Sequence, residues 1–192
     1  MTCRLLQNIK HTCDYNPGGI TGIYLLDIND FAGYQFAGDI WLDTCYVEKI
    51  DSPDGFLELD TVAESTFVES HENEIFKQEL NTFIHTLEGS KLSDLLIANV
   101  NKYVVTFRTS QGKMYSFGSD GGASLSFSQA TGQMGEVSGY QIKLSKNSVY
   151  PLFEVNAERF NTVSVLSTED NLVLKTEDGL QALKVFSDNM NQ

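Results

Sequence analysis

The chain has 192 residues, 41% hydrophobic and 11% aromatic, and its 26 acidic against 13 basic residues leave a net charge of −13. That is too apolar for a disordered chain and long enough for one domain with a core of its own. The charge repels phosphates and argues against a DNA-gripping role, and no apolar run approaches the roughly 20 residues that cross a bilayer.

The opening MTCRLLQNIKHTCDYN lacks the apolar stretch of a secretory signal, so synthesis in the cytoplasm is expected. Cys3, Cys13 and Cys45 form an odd set, which argues against a disulfide framework. Cys3, His11 and Cys13 offer three metal ligands without paired spacing, and ordinary thiols are the plainer reading.

Strand patterns dominate the rest of the chain. Asn16-Pro17-Gly18-Gly19 is a turn, and Ile20 to Ile28 is apolar enough for a buried strand. Asp39 to Ile50 is a second β-rich run, closed by Ser52-Pro53-Asp54-Gly55, where Pro53 presets φ and Gly55 can take a positive φ. Phe56 to Ser70 reads as one further strand or a pair. The polar HENE at 71–74 leads into 75–87, where Phe76, Gln78, Leu80, Thr82 and Ile84 share one face. Between Asp39 and Glu79 stand twelve acids and two bases, most simply a solvated acidic face.

One helix is predicted, over about 90–101. Leu92, Leu95, Leu96 and Val100 form its apolar stripe, Ser90 is its N-cap, and Asp94 lies near the positive end of its dipole. Next, 103–108 and 113–117 flank Thr109-Ser110-Gln111-Gly112, a hairpin turn. In ASLSFS, Ala123, Leu125 and Phe127 alternate with serines. In SGYQIKL, Tyr140, Ile142 and Leu144 alternate with polar residues, so each run is a half-buried antiparallel strand. The glycines from 131 to 135 form a loop, not a linker, and no Gly-Lys-Ser/Thr opens a helix as a phosphate cradle requires. Beyond Glu158-Arg159, NTVSVLS, NLVLKT and LQALKVFS suggest a small β meander, which divides the chain into a main β domain, 1–158, and an extension, 159–192.

Catalytic patterns are absent. No Gly-x-Ser-x-Gly or His-Glu-x-x-His occurs, His11, His71 and His85 lie apart, and carboxylate pairs in so acidic a chain identify no dyad. A non-enzyme without a cofactor is therefore expected. Trp41, Tyr46 and Phe56 could form an aromatic platform for a glycan, although core packing is the plainer role for each.

Four pieces, taken in order, resemble the tail-tube proteins of tailed bacteriophages, especially those of Bacteroidetes phages and prophages. They are NPGGITGIYLLDI, the strand FKQELNTFIHTL before the helix LSDLLIANV, the hairpin YVVTFRTSQGKMYSFGSDGG, and TGQMGEVSGYQIKLSKNSVYPLFEV. The resemblance covers roughly residues 15–156 and implies an antiparallel β-barrel or sandwich with one short flanking helix. It further implies a virion structural subunit, synthesised in the bacterial host and built into the tail. Copies would form a ring, commonly of six, stacked into a tube through which phage DNA passes unbound, beside neighbouring tail, neck or baseplate proteins.

A DNA channel gains from negative walls. The candidate channel-facing acids are Asp39, Asp43, Glu48, Glu58, Asp60, Glu64 and Glu69. Ser52, Pro53, Asp54 and Gly55 form a candidate inter-ring loop, with a simple hairpin as the equal alternative. The competing function is a β-rich glycan- or protein-binding module of a virion or cell surface.

Overall fold

In a computed structural model, residues 18–38, 45–53, 55–60, 65–131 and 137–160 are described, with the backbone of 162–165 and 184–187. The apolar run that opens the domain forms strand β1 (Ile20–Asp27), and five successive residues, 22–26, are buried. A strand points alternate side chains to opposite faces, so burial of every residue requires a core on each side. The partner, β7 (Lys102–Thr109), is buried in the same way, and the two pair antiparallel from Ile20 opposite Thr109 to Asp27 opposite Tyr103.

The sheet forks at β7. Its second edge is shared between β8 (Met114–Phe117), bonded along 105–108, and β9 (Ala123–Ala130), bonded at 102–103. One branch runs from β8 through β11 (Phe153–Val155) and β3 (Tyr46–Asp51) to β2 (Gly33–Phe36). The other runs from β9 through β10 (Gly139–Ser148) and β6 (Ile75–His85) to β5 (Thr66–Glu72), while the short β4 (Leu57–Leu59) pairs with β1.

Two glycines make the fork possible. Gly118 and Gly122 lie between β8 and β9 with φ of +89° and +79°. A Cβ on Gly118 would stand 2.8 Å from the Tyr103 carbonyl oxygen, and one on Gly122 would stand 2.5 Å from the Lys102 Cβ. Only glycine combines that backbone with so close an approach.

Each face of the β1–β7 pair carries a core. Ile23, Leu25, Val105 and Phe107 pack with Leu80, Ile142 and Leu144 of the β9–β10–β6 branch and with Leu95 of the helix. Tyr24, Leu26 and Val104 pack with Val47, Phe56, Phe153 and Phe160 on the other face. Within this second core the Tyr34 hydroxyl lies 2.7 Å from the Ser116 hydroxyl, which accepts from Thr106 and donates to the Val105 carbonyl.

Among the described residues the domain is mainly β with one α-helix, as expected, but two details of the expected fold are corrected. The sheet is not closed into a barrel, because the fork sends its strands in two directions and leaves β2 and β5 as ends. Nor is it wholly antiparallel, since β3 and β11 run parallel. The stretch 56–70 does contain a pair of strands, β4 and β5, but they pair with β1 and β6 and not with each other. In the helix α1 (Gly89–Val100) the N-cap position falls on Glu88, not Ser90, with no side-chain capping bond, and Asp94 lies beyond its first turn. Its packed face is also rotated from the expected stripe. Leu92, Leu95 and Ala98 meet the core, whereas Leu96, Ile97 and Val100 are 54%, 66% and 80% exposed.

The tail forms a separate two-stranded antiparallel sheet from β12 (Thr162–Val165) and β13 (Lys184–Ser187). NLVLKT lies outside the described residues. Phe160, which a division at 158 assigns to the extension, is buried against Tyr24 and Phe56 at ring separations of 4.9 and 4.5 Å.

Candidate functional site

Sequence chemistry and backbone course together place a groove between α1 and β4. The alternation of β1 and β4 points Leu25 and Leu59 to the helix side, Ile84 arrives from the end of β6, and the helix supplies Leu95, Ile97 and Ala98. The groove encloses about 660 Å³, and Tyr103 is the one aromatic residue in its described lining. Burial raises the Tyr103 phenol above its usual range, the Asn101 hydrogen bond opposes that shift, and the nearby Asp27 charge adds to it.

The rim is acidic. Asp27 ends β1 and Asp30 follows it, Asp60 follows β4, and Asp94 comes from the helix, whereas Glu58, opposite Tyr24, turns its carboxylate to the other face. Against these four stands Lys91, which already lies 3.6 Å from Glu88 and donates to the His85 carbonyl at 3.4 Å. None of the four rim acids forms an ion pair among the described residues. An apolar floor with a negative rim suits an aliphatic, cationic occupant.

The candidate acids therefore divide. Asp60 lies at this rim, whereas Glu58 turns toward Tyr24 on the other face. Glu48 pairs with Arg159 at 3.0 Å. Glu69 is half-buried; one of its oxygens accepts from Gln78 Nε2 at 2.8 Å and from the Leu152 amide at 2.9 Å, tying β5 to the chain that enters β11. Asp39, Asp43 and Glu64 lie outside the described residues, as does Asp54 of the candidate loop. Around Asp54 the connection is compact, with the Gly55 amide bonded to the Ser52 hydroxyl at 3.1 Å and Gly55 at φ +69° as the turn chemistry requires. It is not a simple hairpin, because β3 and β4 do not pair, and Gly55 also lines the groove.

The aromatic platform is not assembled among the described residues. Phe56 is buried in the second core, Tyr46 lies partly exposed on β3, and Trp41 is outside the described residues. His71 stacks on Phe76 at 4.4 Å, and His85 meets Phe83 edge-on at 5.1 Å. Among the described residues no three His, Cys, Asp or Glu side chains are grouped to hold a metal ion, while Cys3, His11 and Cys13 lie outside them.

Sequence reasoning missed the groove. Its acids are scattered over 68 positions of the chain, from Asp27 to Asp94, and only the tertiary fold collects them. The one available signal was the surplus of apolar residues late in the helix, more than a single stripe can bury. The fold and site define a mainly β domain with an open sheet and an acid-rimmed apolar groove. Compared with family models, curated proteins and solved structures, the chain matches none.

Proposed function

We propose that this chain is a non-enzymatic virion subunit of the phage tail-tube type, whose copies join edge to edge into a ring and stack into a channel for DNA. The observation that carries this reading is the open sheet. β5 ends one branch and pairs on one side only among the described residues.

The hairpin geometry identifies its free groups. Glu72 and Ile75 close a two-residue turn and exchange both ladder hydrogen bonds, so Ser70 and Val68 also bond inward. Phe67, Glu69 and His71 then present backbone groups outward. Such an edge is an aggregation hazard in a monomer, and a repeated edge contact related by rotation closes into a ring. In that ring, acids that face the channel repel passing DNA and keep it from sticking.

The groove favours a second reading, a protein-binding module of a virion or cell surface. Its aliphatic lining suits polypeptide side chains better than the faces of sugar rings, which stack on aromatics.

Negative-stain electron microscopy at low and high salt tests the proposal. Rings or tubes should grow more abundant as salt screens the acidic surface. His71→Pro removes one outward amide from the edge and no bond to β6, so it should abolish the rings while leaving the circular dichroism spectrum unchanged. Monomers of the parent chain at every salt concentration would overturn the ring reading.

A further inference from the structure

We infer that the groove between α1 and β4 receives residues 4–11 (RLLQNIKH) of a second copy of this chain. The inference deepens the self-assembly reading and rests on it in taking another copy as the neighbour.

Three observations converge. The first is chemical. The floor is aliphatic, the rim carries Asp27, Asp30, Asp60 and Asp94, and the one cation in its described lining is already engaged by Glu88. The occupant must bring branched apolar side chains together with positive charge and no carboxylate.

The second is compositional. In a chain of net charge −13, the bases of the described domain are largely committed: Lys49, Lys77, Lys91, Lys113, Lys143, Lys146 and Arg159 all form ion pairs. Residues 1–13 hold Arg4, Lys10 and His11 around Leu5, Leu6 and Ile9, and the first acid is Asp14. Elsewhere, aliphatic side chains joined to cations without an acid among them occur in strands such as β7, β10 and β13, whose backbones are already paired.

The third is reach. Gly19 accepts from the Ser110 amide at the far end of β1, whereas the groove lies at the Asp27–Tyr103 end. β1 carries the chain about 23 Å between those ends, and the seven steps from His11 to Gly18 span at most about 25 Å. Docking on its own copy would force that segment into a nearly straight return. A second copy is free to present its groove at a shorter distance.

Thiol cross-linking of the full chain tests this. One version keeps Cys3 and carries Cys13→Ser and Cys45→Ser. The other carries Cys3→Ser, Cys13→Ser, Cys45→Ser and Ile97→Cys, the last at a groove position 66% exposed and therefore tolerant of change. Mixed and oxidised in air with a copper–phenanthroline catalyst, the two should give a disulfide-linked heterodimer several-fold above a control with Ser128→Cys in place of Ile97→Cys. Arg4→Glu should remove that excess.

Heterodimer at the control level would overturn the inference. So would a version carrying both Cys3 and Ile97→Cys that closes on itself as a monomer, independent of dilution. Rings without the cross-link would spare self-assembly and reject this arm. The cross-link without rings would keep the arm and reject the ring.

Discussion

Ser116 shows how much one small side chain can hold. It is fully buried, and its hydroxyl joins Tyr34 of β2 to Thr106 of β7 across the second core. Ser116→Ala takes the acceptor from the buried Thr106 hydroxyl and one of two serine partners from Tyr34, which costs about 1–3 kcal/mol, whereas Tyr34→Phe keeps the ring packing and the Thr106–Ser116 bond, so it should cost about 1 kcal/mol. Urea denaturation of the two variants checks the order. Burial also pushes the Tyr34 phenol well above its usual range, so it should stay protonated through an alkaline titration until the domain unfolds.

The surface carboxylates shift the other way. The Lys143 hydrogen bond, helped by Asn81, holds Glu79 below its ordinary value of 4.5. A depressed folded-state value adds stability above pH 4.5, and that stability is lost as pH falls through the folded value. The pair is exposed and screened, so the effect is small. The urea midpoint of Glu79→Gln should therefore lie slightly below that of the parent at pH 7, and the difference should vanish by pH 3.

At the scale of the element, the β5–β6 turn carries a mismatch. Asn73 and Glu74 have φ of +50° and +64°, which the right-handed twist of the hairpin favours, but the second position suits glycine far better than glutamate. Glu74→Gly should stabilise the domain by about 0.5–1 kcal/mol, read as a higher melting temperature, with the gain limited by the extra freedom of the unfolded chain. Gly122→Ala should do the opposite, at about 2–4 kcal/mol, since it sets a side chain at positive φ against Lys102.

The same elements show what a single sequence can disclose. Period-two alternation placed β6, β9 and β10 with the correct faces inward, because one buried and one wet face write themselves into every second residue. The turn at 109–112 was legible from Gly112, which adopts φ +80°. The helix face was not legible. Leu92, Leu95, Leu96, Ile97, Ala98 and Val100 spread around more than half the helix, so periodicity cannot choose which of them packs. The fork was hidden for a different reason. It depends on β7 sharing one edge between two strands, a long-range pairing that leaves no local pattern. The groove inherits both uncertainties, being built from that helix face and from acids that adjoin only once the topology is set.

For the whole molecule, charge and assembly are linked. A net charge of −13 opposes the approach of copies, and the isoelectric point of about 4.5 means that acidification removes that opposition. Lowering the pH from 8 to about 5.5 at low salt should shift sedimentation toward larger species, as added salt does at pH 8. Growth with salt but not with acid would mean that apolar contacts, not screened carboxylates, control the association.

The central strand also has a consequence for synthesis. β1 finds its partner in a strand whose last bonded residue, Thr109, comes 89 positions after Ile20. A ribosome adding roughly 5–20 residues per second needs several seconds to cover that distance. During this interval ITGIYLLD has emerged with both faces apolar and neither core in existence. The nascent chain must be kept from its neighbours until β7 is made, so a burst of high-level expression should send this protein into inclusion bodies more readily than its acidity suggests.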